Sequence, residues 1–534
     1  MPQQTYIIPP YVASRSYFAG TDKSSTIITN SLCFTNLVLE DTSSDLWSIL
    51  PRKFTFDTLR PILPTVNIDP DDEDNLTAIR DFLETLRAEG AVQFEGCENP
   101  PPLPSFPKSR EELDINAGKS EFNLKLSEAG LLANAFVELT YRCNEKCVHC
   151  FNPQIQHDCS TDLTTAELIK AINDLYAVGV HDVTFSGGEP SLRDDLFEIL
   201  DECRRLNLAI TIFTNGQMSE EKVQRLISYY PQTVGVSIYS VNPDIHDATT
   251  QIKGSWEKSI RTIKILVDAG IRVVMKCPLM QHTVHGYKEF LKLCDDLGAV
   301  GQCTINLTPT TDGNQQVCRH QVTDINDLTL LFSDSQLPLA VDINEPDNSR
   351  KNLSDNDKPC AAGITLLNIC PDGTVYPCPC LPLTVGNVRE QSIVDIWKHS
   401  KTLAAWQSVV LNDFDECGMY SKCSYCDICP GKAMLETNNV LGKMQVLCHT
   451  AKVRESINRQ LATGQAPIVN ETFGHDLAFR EPQTTVAPTQ SSALVKINHD
   501  GDDFVARIEN IKANGNPVRK TIAPESGGAA TILP

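Results

Sequence analysis

Three cysteines at CxxxCxxC spacing, Cys143, Cys147 and Cys150, follow an apolar run, Ala135-Phe136-Val137-Glu138-Leu139-Thr140. The run reads as a strand and the cysteines as the loop after it. A loop that presents three thiolates so closely is constrained by what thiolates bind. Three can hold three irons of a cubane cluster and leave the fourth iron open to a ligand. A zinc site usually takes four ligands from paired CxxC units, and buried free thiols are a third use of such residues. Spacing alone does not choose among these readings.

The rest of the chain narrows the choice. At 534 residues it is long enough for several domains. Its formal charge of -22, from 46 basic and 68 acidic residues, excludes a general polyanion binder, so no nucleic-acid partner is expected. No apolar run has the length that spans a bilayer. The opening MPQQTYIIPPYVASRSY lacks the charged-then-apolar order of a secretory signal. A cytoplasmic chain without a membrane partner is expected, and there twenty cysteines read as metal ligands rather than disulfides.

From Ala135 to about Ile305, short β-branched runs alternate with amphipathic helices. Strands are expected at Ala135–Thr140, Asp182–Phe185, Ala209–Phe213, Thr233–Tyr239, Ile271–Cys277 and Ala299–Ile305. Helices are expected at Thr164–Ala177, Arg193–Arg204, Ser219–Ser228, Ser255–Ala269 and Thr283–Leu297. Six such βα units imply an α/β fold, a partial (β/α)6 barrel of the TIM type with helices outside. In barrels of this kind the chemistry sits at the C-terminal ends of the strands, where Cys143, Cys147 and Cys150 fall. The second strand ends in Ser186-Gly187-Gly188-Glu189-Pro190, the third in Thr214-Asn215-Gly216, and the fourth carries Ser237-Ile238-Tyr239-Ser240. Two glycines allow close approach of backbone to a ligand, and a carboxylate accepts from an ammonium group.

Cys143–Cys150 followed by Gly187–Pro190 after the second strand resembles the radical S-adenosylmethionine (SAM) enzyme superfamily. The resemblance covers the barrel. It implies that Cys143, Cys147 and Cys150 ligate a [4Fe–4S] cluster and form the catalytic centre, with SAM on the open iron. Gly187, Gly188, Glu189 and Pro190 would lie against the methionine, with Asn215 and Ser237 as further contacts. Lys276 is a candidate for the carboxylate or a surface residue. His149 is expected to pack near the adenine. Cys159, Cys203, Cys277, Cys294, Cys303 and Cys318 lack ligand-like grouping and read as buried free thiols.

A second cysteine field lies between Cys360 and Cys448. A PDG turn at Pro371–Gly373 between two strands makes a hairpin that brings Cys360 and Cys378 together. Zinc held by CSYC and CDIC competes here. Cys360-x12-Gly373-x4-Cys378, then clustered cysteines and one late cysteine, resembles the SPASM extension of radical enzymes, which implies two auxiliary [4Fe–4S] clusters and three in all. By order, Cys360, Cys378 and Cys429 belong to the first, and Cys417, Cys423, Cys426 and Cys448 to the second. The gaps of five, two and two between the central cysteines resemble ribosomal-peptide-modifying members. They leave the first cluster either with an open iron or closed by Cys370 or Cys380.

Residues 1–98 read as a separate α+β domain. Ser31–Val38 is strand-like, Asp41–Ser44 caps a helix at Asp45–Leu50, and helices follow at Phe56–Leu63 and Leu76–Ala88, with a short strand at Ala91–Phe94. Strands followed by three helices, with SSDLWSIL at the first, resemble the winged-helix peptide-recognition domain of ribosomal peptide modification systems, in which a leader adds as a strand. Residues 99–130 read as a Pro-rich linker, 131–340 as the barrel, 341–455 as the SPASM domain, and 456–534 as a partly disordered tail, with a strand pair at Ala493–Glu509. Together the resemblances imply a peptide maturase. It would act on a precursor peptide held by the N-terminal domain, use a reductant such as flavodoxin or ferredoxin, and make a thioether or carbon–carbon crosslink or a backbone edit. Maturation of a folded protein and a peptide-binding iron–sulfur or zinc scaffold are the alternatives.

Overall fold

A computed structural model describes residues 4–97, 117–152, 159–311, 314–337, 354–419, 421–463 and 501–517. Its centre is a nine-stranded sheet in the order β12-β11-β10-β9-β8-β7-β13-β14-β15. β7 (Asn134–Thr140), β8 (Asp182–Gly187), β9 (Ala209–Thr214), β10 (Thr233–Ser237), β11 (Val273–Pro278) and β12 (Val300–Thr304) are the six expected barrel strands. They run parallel in chain order. Several helices between them begin where the sequence offers a cap. Thr164 and Glu167, for example, form a reciprocal capping box at the start of Thr165–Ala177.

Strand parity divides the side chains. Val137, Leu139, Val183, Phe185, Ile210, Ile212, Val234 and Val236 are buried under the helices in one continuous core. The alternate positions face the lumen. There Phe136 meets the edge of Phe213 at 5.9 Å, and the Lys276 ammonium lies 3.1 Å from the Phe213 ring centroid. Gly235 makes room for that stack, since a Cβ there would stand 2.8 Å from Phe213 and 3.0 Å from Lys276.

The sheet does not stop with the sixth unit. β13 (Leu366–Ile369) pairs parallel with β7, from Leu366 opposite Asn134 to Ile369 opposite Val137. β14 (Thr374–Tyr376) and β15 (Gly386–Asn387) continue it antiparallel. The division expected at residue 341 therefore does not separate two sheets, because the cysteine-bearing hairpin is hydrogen-bonded to the first barrel strand. Gly373, at φ +86, closes that hairpin and donates its N–H to the Cys370 carbonyl.

The N-terminal region has two small antiparallel sheets. One has the order β5-β1-β6, from Lys53–Thr55, Thr5–Ile7 and Gln93–Phe94; the other is β2-β3-β4, from Val12–Tyr17, Ser25–Asn30 and Thr35–Glu40. α1 (Asp41–Ser48), α2 (Phe56–Leu59) and α3 (Glu73–Ala88) follow. α3 buries Leu76, Ile79, Leu83 and Leu86, each contributing about 1.5–3 kcal/mol. Several expectations are corrected here. Ser31–Val38 is a turn and the first half of β4, not one strand. α1 begins four residues early, so Asp41–Ser44 lie inside it, and Glu40 at its N-cap makes no side-chain bond. α2 gives way to a 3-10 turn, Arg60–Val66, where Pro61 and Pro64 withhold backbone donors.

The linker expected over 99–130 lies outside the described residues up to 116. Beyond that it is a helix, Ala117–Glu128. Phe122 and Leu126 of this helix pack with Tyr17 and Ile27 of the N-terminal sheet. Its Lys119 is 6% exposed and paired with Asp182 at 2.5 Å. The expected strand pair is also replaced. Residues 493–500 are outside the described set, and Gly501–Asn514 is a helix burying Phe504, Ile508 and Ile511. It is anchored by Lys512 on Asp413 and by Asn516, which donates to the Asp413 carbonyl. Helix Gln445–Ala462 runs through the expected start of the tail at 456. Among the described residues no helix is long and apolar enough to cross a membrane.

Candidate active site

The loop after β7 is held from both sides. Lys146 and Val148 donate their N–H groups to the carbonyls of Thr250 and Thr249. On the other side Gly188 N–H donates to the Thr140 carbonyl at 2.7 Å and Glu189 N–H to the Arg142 carbonyl at 2.8 Å. This approach needs the two glycines. A Cβ on Gly187, which is at φ +123, would stand 2.3 Å from the Thr140 carbonyl oxygen, and one on Gly188 would stand 2.2 Å from that of Arg142. The two glycines thus let the end of β8 close on the start of the cysteine loop.

The Glu189 carboxylate is fully buried. It accepts from the Thr214 hydroxyl at 2.9 Å, from Asn215 N–H at 2.8 Å and from Ser191 N–H at 3.1 Å. It ties the ends of β8 and β9 together. Pro190 is buried at the first position of the short 3-10 turn that follows. Asn215 reaches the cysteine loop, its amide donating to Asn144 Oδ1 at 2.6 Å and lying 3.8 Å from Cys143 Sγ. Ser237 is half-buried at the end of β10, in register with Lys276.

The three thiols are half-buried and in no disulfide. Burial pushes the Cys143 thiol up to about 11 and those of Cys147 and Cys150 upward as well. Thiols held neutral by burial become good ligands when irons supply the missing positive charge. Glu145 accepts from the Cys147 thiol at 3.3 Å and from Gln217 at 2.5 Å. Its own carboxyl is raised by burial to about 7. Tyr239 Oη stands 3.6 Å from Cys147 Sγ, with its ring against His149 at 4.7 Å and His246 at 5.3 Å. His149 is a packed aromatic, lowered by burial to about 4.

Tyr239 and Glu145 had no sequence signal beyond position: one ends β10 and the other sits between two cysteines. Lys276, half-buried in the lumen, is pulled down by burial to about 7. Below it a cavity of about 580 Å³ extends between the barrel strands and the N-terminal domain. Its walls include Thr211, Phe213 and Lys276 on one side and Asn30, Phe34 and Asn36 on the other.

The second cysteine field divides in two. Cys417, Cys423, Cys426 and Cys448 line one small cavity with Glu416 and Lys443. Cys429 leaves that group, and the Cys378 thiol feels the charges of Cys380, Cys429 and Cys360. CSYC and CDIC thus straddle the division, with Cys423 and Cys426 in the first group and Cys429 in the second. In a cubane each thiolate meets its own iron, so the ligands surround a volume. Cys203, Cys277, Cys294, Cys303 and Cys318 are buried, as their lack of grouping suggested; the side chain of Cys159 is outside the described residues.

Residues 137–297 match the Radical SAM superfamily, and residues 360–430 match the iron–sulfur cluster-binding domain named SPASM. The antilisterial bacteriocin subtilosin biosynthesis protein AlbA of Bacillus subtilis strain 168 is 26% identical over 355 residues, covering 63% of this chain and 73% of AlbA. The AdoMet-dependent heme synthase of Methanosarcina barkeri is 26% identical over 324 residues, covering 55% of this chain and 89% of that protein. In fold, the chain is similar to Streptococcus suis SuiB bound to precursor peptide SuiA, with a TM-score of 0.50, 15% identity, and coverage of 83% of this chain and 99% of SuiB.

Proposed function

We propose that the chain is a peptide maturase, with residues 137–297 as its radical SAM domain and residues 360–430 as its SPASM iron–sulfur domain. It binds a ribosomally made precursor and begins a thioether crosslink, a carbon–carbon crosslink or a backbone edit by removing a substrate hydrogen. The observation that carries this reading is the junction, in one chain, of the radical SAM match, the SPASM match and an N-terminal domain packed on the barrel, with a cavity where the two meet at the N-terminal ends of the strands, beside Asp182, Thr211 and Thr233. The N-terminal region supports the reading by its make-up, two small antiparallel sheets with three helices interleaved among the later strands. Its outer strands β2 and β4 offer edges of the kind that peptides extend. Similarity to AlbA and to peptide-bound SuiB points the same way.

Cys143, Cys147 and Cys150 hold the catalytic cluster, and the two groups of auxiliary cysteines hold one cluster each. When bound and reduced by a flavodoxin- or ferredoxin-type partner, the catalytic cluster with SAM supplies the radical. The chain's own part is placement. Glu189 fixes two strand ends, and Asn215 and Tyr239 brace the cysteine loop.

Anaerobic incubation with SAM, dithionite and a candidate precursor peptide is expected to give 5′-deoxyadenosine and a peptide lighter by two hydrogens per crosslink. Anaerobic reconstitution is expected to give about 12 irons per chain, and about 8 when Cys143, Cys147 and Cys150 are all replaced by Ala. An unchanged peptide alongside a modified folded protein, or a modified tetrapyrrole such as the heme synthases would suggest, would overturn the proposal.

A further inference from the structure

The first auxiliary group has three cysteines assigned by order, and the position of a fourth decides whether its cluster can bind substrate. Cys370 and Cys380 are the two candidates, and the structure separates them. Cys370 is buried beside Glu138, whose carboxylate lies 3.6 Å from its sulfur, and beside Asn368 at 3.4 Å. Its charge neighbours are Glu138, Tyr141 and Asp372, with no other cysteine among them. Cys380 stands elsewhere. The chain turns tightly from Cys378 to Leu381, with Leu381 N–H donating to the Cys378 carbonyl at 3.1 Å. That turn packs against the start of helix Pro430–Thr437. A Cβ on Gly431 would fall 2.0 Å from the Cys380 carbonyl oxygen, so only glycine lets the turn reach the chain beside Cys429. The thiols that interact with Cys378 are Cys380, Cys429 and Cys360.

A second observation is independent of the cysteines. Lys432 is 4% exposed, and its ammonium has no hydrogen-bond partner among the described residues. An unpartnered buried ammonium is costly unless an anion stands near it. The groups that interact with it are Cys429, Glu436, Cys318 and Cys380. An iron–sulfur cluster with four thiolate ligands carries net negative charge, and the donor set and the orphaned cation fit that group together.

We propose that Cys380 is the fourth ligand of the first auxiliary cluster, with Cys360, Cys378 and Cys429, and that Lys432 is its counter-charge. This rests on the reading of the second cysteine field as cluster-binding. It means that no iron of this cluster is free for a substrate thiol, so the cluster relays electrons and holds no part of the peptide. Positive charge beside a cluster raises its reduction potential.

The test uses the full chain carrying Cys143→Ala, Cys147→Ala and Cys150→Ala, reconstituted anaerobically, so that only auxiliary clusters contribute. Cyanide is added and the reduced protein is followed by electron paramagnetic resonance. The parent is expected to be indifferent to cyanide. Adding Cys380→Ala should open an iron, giving a cyanide-dependent spectrum or a three-iron signal. Cys380→Ser, which keeps the size and an oxygen donor, should shift the parent signal without losing iron, and decides the matter if the alanine variant does not fold. Cys370→Ala should leave the spectrum as it was. Lys432→Met should move one midpoint potential to a more negative value, and Lys432→Arg should leave it near that of the parent. A parent spectrum that already responds to cyanide, a serine variant identical to the parent, or a potential unmoved in Lys432→Met overturns the proposal. Absence of auxiliary iron from the parent would instead overturn the cluster reading on which it rests.

Discussion

At Lys276 the lumen holds a cation with an aromatic face as its neighbour and, among the described residues, no hydrogen-bond or ion-pair partner. Burial lowers it to about 7 from an ordinary 10.5. The unfolded chain keeps that proton up to about 10.5 and the folded chain only to about 7, so folding gains stability as pH rises between the two. Lys276→Met should flatten this part of the stability–pH profile and stabilise the chain at pH 6 by about 1–3 kcal/mol, as read from urea unfolding at several pH values. An unchanged slope would assign the titration elsewhere. Glu189→Gln puts an amide donor where three donors converge. It should cost about 1–3 kcal/mol and lower iron retention at the catalytic cysteines while auxiliary iron stays. Tyr239 was not legible as a site member, because what brings it to Cys147 is the meeting of strand ends, and Glu145 gave no sign beyond its place between two cysteines. The cysteines themselves were legible, since CxxxCxxC after a strand carries its chemistry in its spacing.

Among elements, the barrel strands were the most legible. Runs such as Thr233–Ser237 and Val273–Pro278 are β-branched and buried on the helix-facing side, and their observed bounds fall within two residues of the expected ones. β2 and β3, reading VASRSY and STIITN, were missed because polar and apolar residues share both faces of a small sheet. Helix Ala117–Glu128 was missed for a related reason. Among the described residues Phe122 and Leu126 are its only buried apolar side chains, and Lys119 is held inward by its ion pair with Asp182, so no apolar stripe marks it. Helix Gly501–Asn514 did carry a helical pattern in Phe504, Ile508 and Ile511, but Val505 and Ala506 blurred it into alternation. A chain ending after Thr463 should lose that helix, expose the surface under Phe504 and melt about 3–8 °C lower. An unchanged melting temperature would show the helix to be dispensable.

Across the whole molecule, the sequence divided the chain where cysteine patterns changed, and the structure joins it where strands pair. The segment expected to be an independent iron–sulfur module is the continuation of the barrel sheet through β13. Backbone pairing leaves no trace in side-chain pattern, which is why this was not legible. Leu367→Pro removes a ladder donor opposite Ala135. It should destabilise the chain by about 3 kcal/mol or more, and barrel and hairpin should lose protease resistance together; separate transitions would contradict the shared sheet. The same ladder has a consequence for timing. Cys143 lies three residues past the end of β7, and Cys360 and Cys378 stand before and after the hairpin paired to it. The gap that an electron must tunnel between the first two centres is then written into strand register and does not depend on a hinge. Its rate should be indifferent to solvent viscosity, like that of a wire rather than a shuttle.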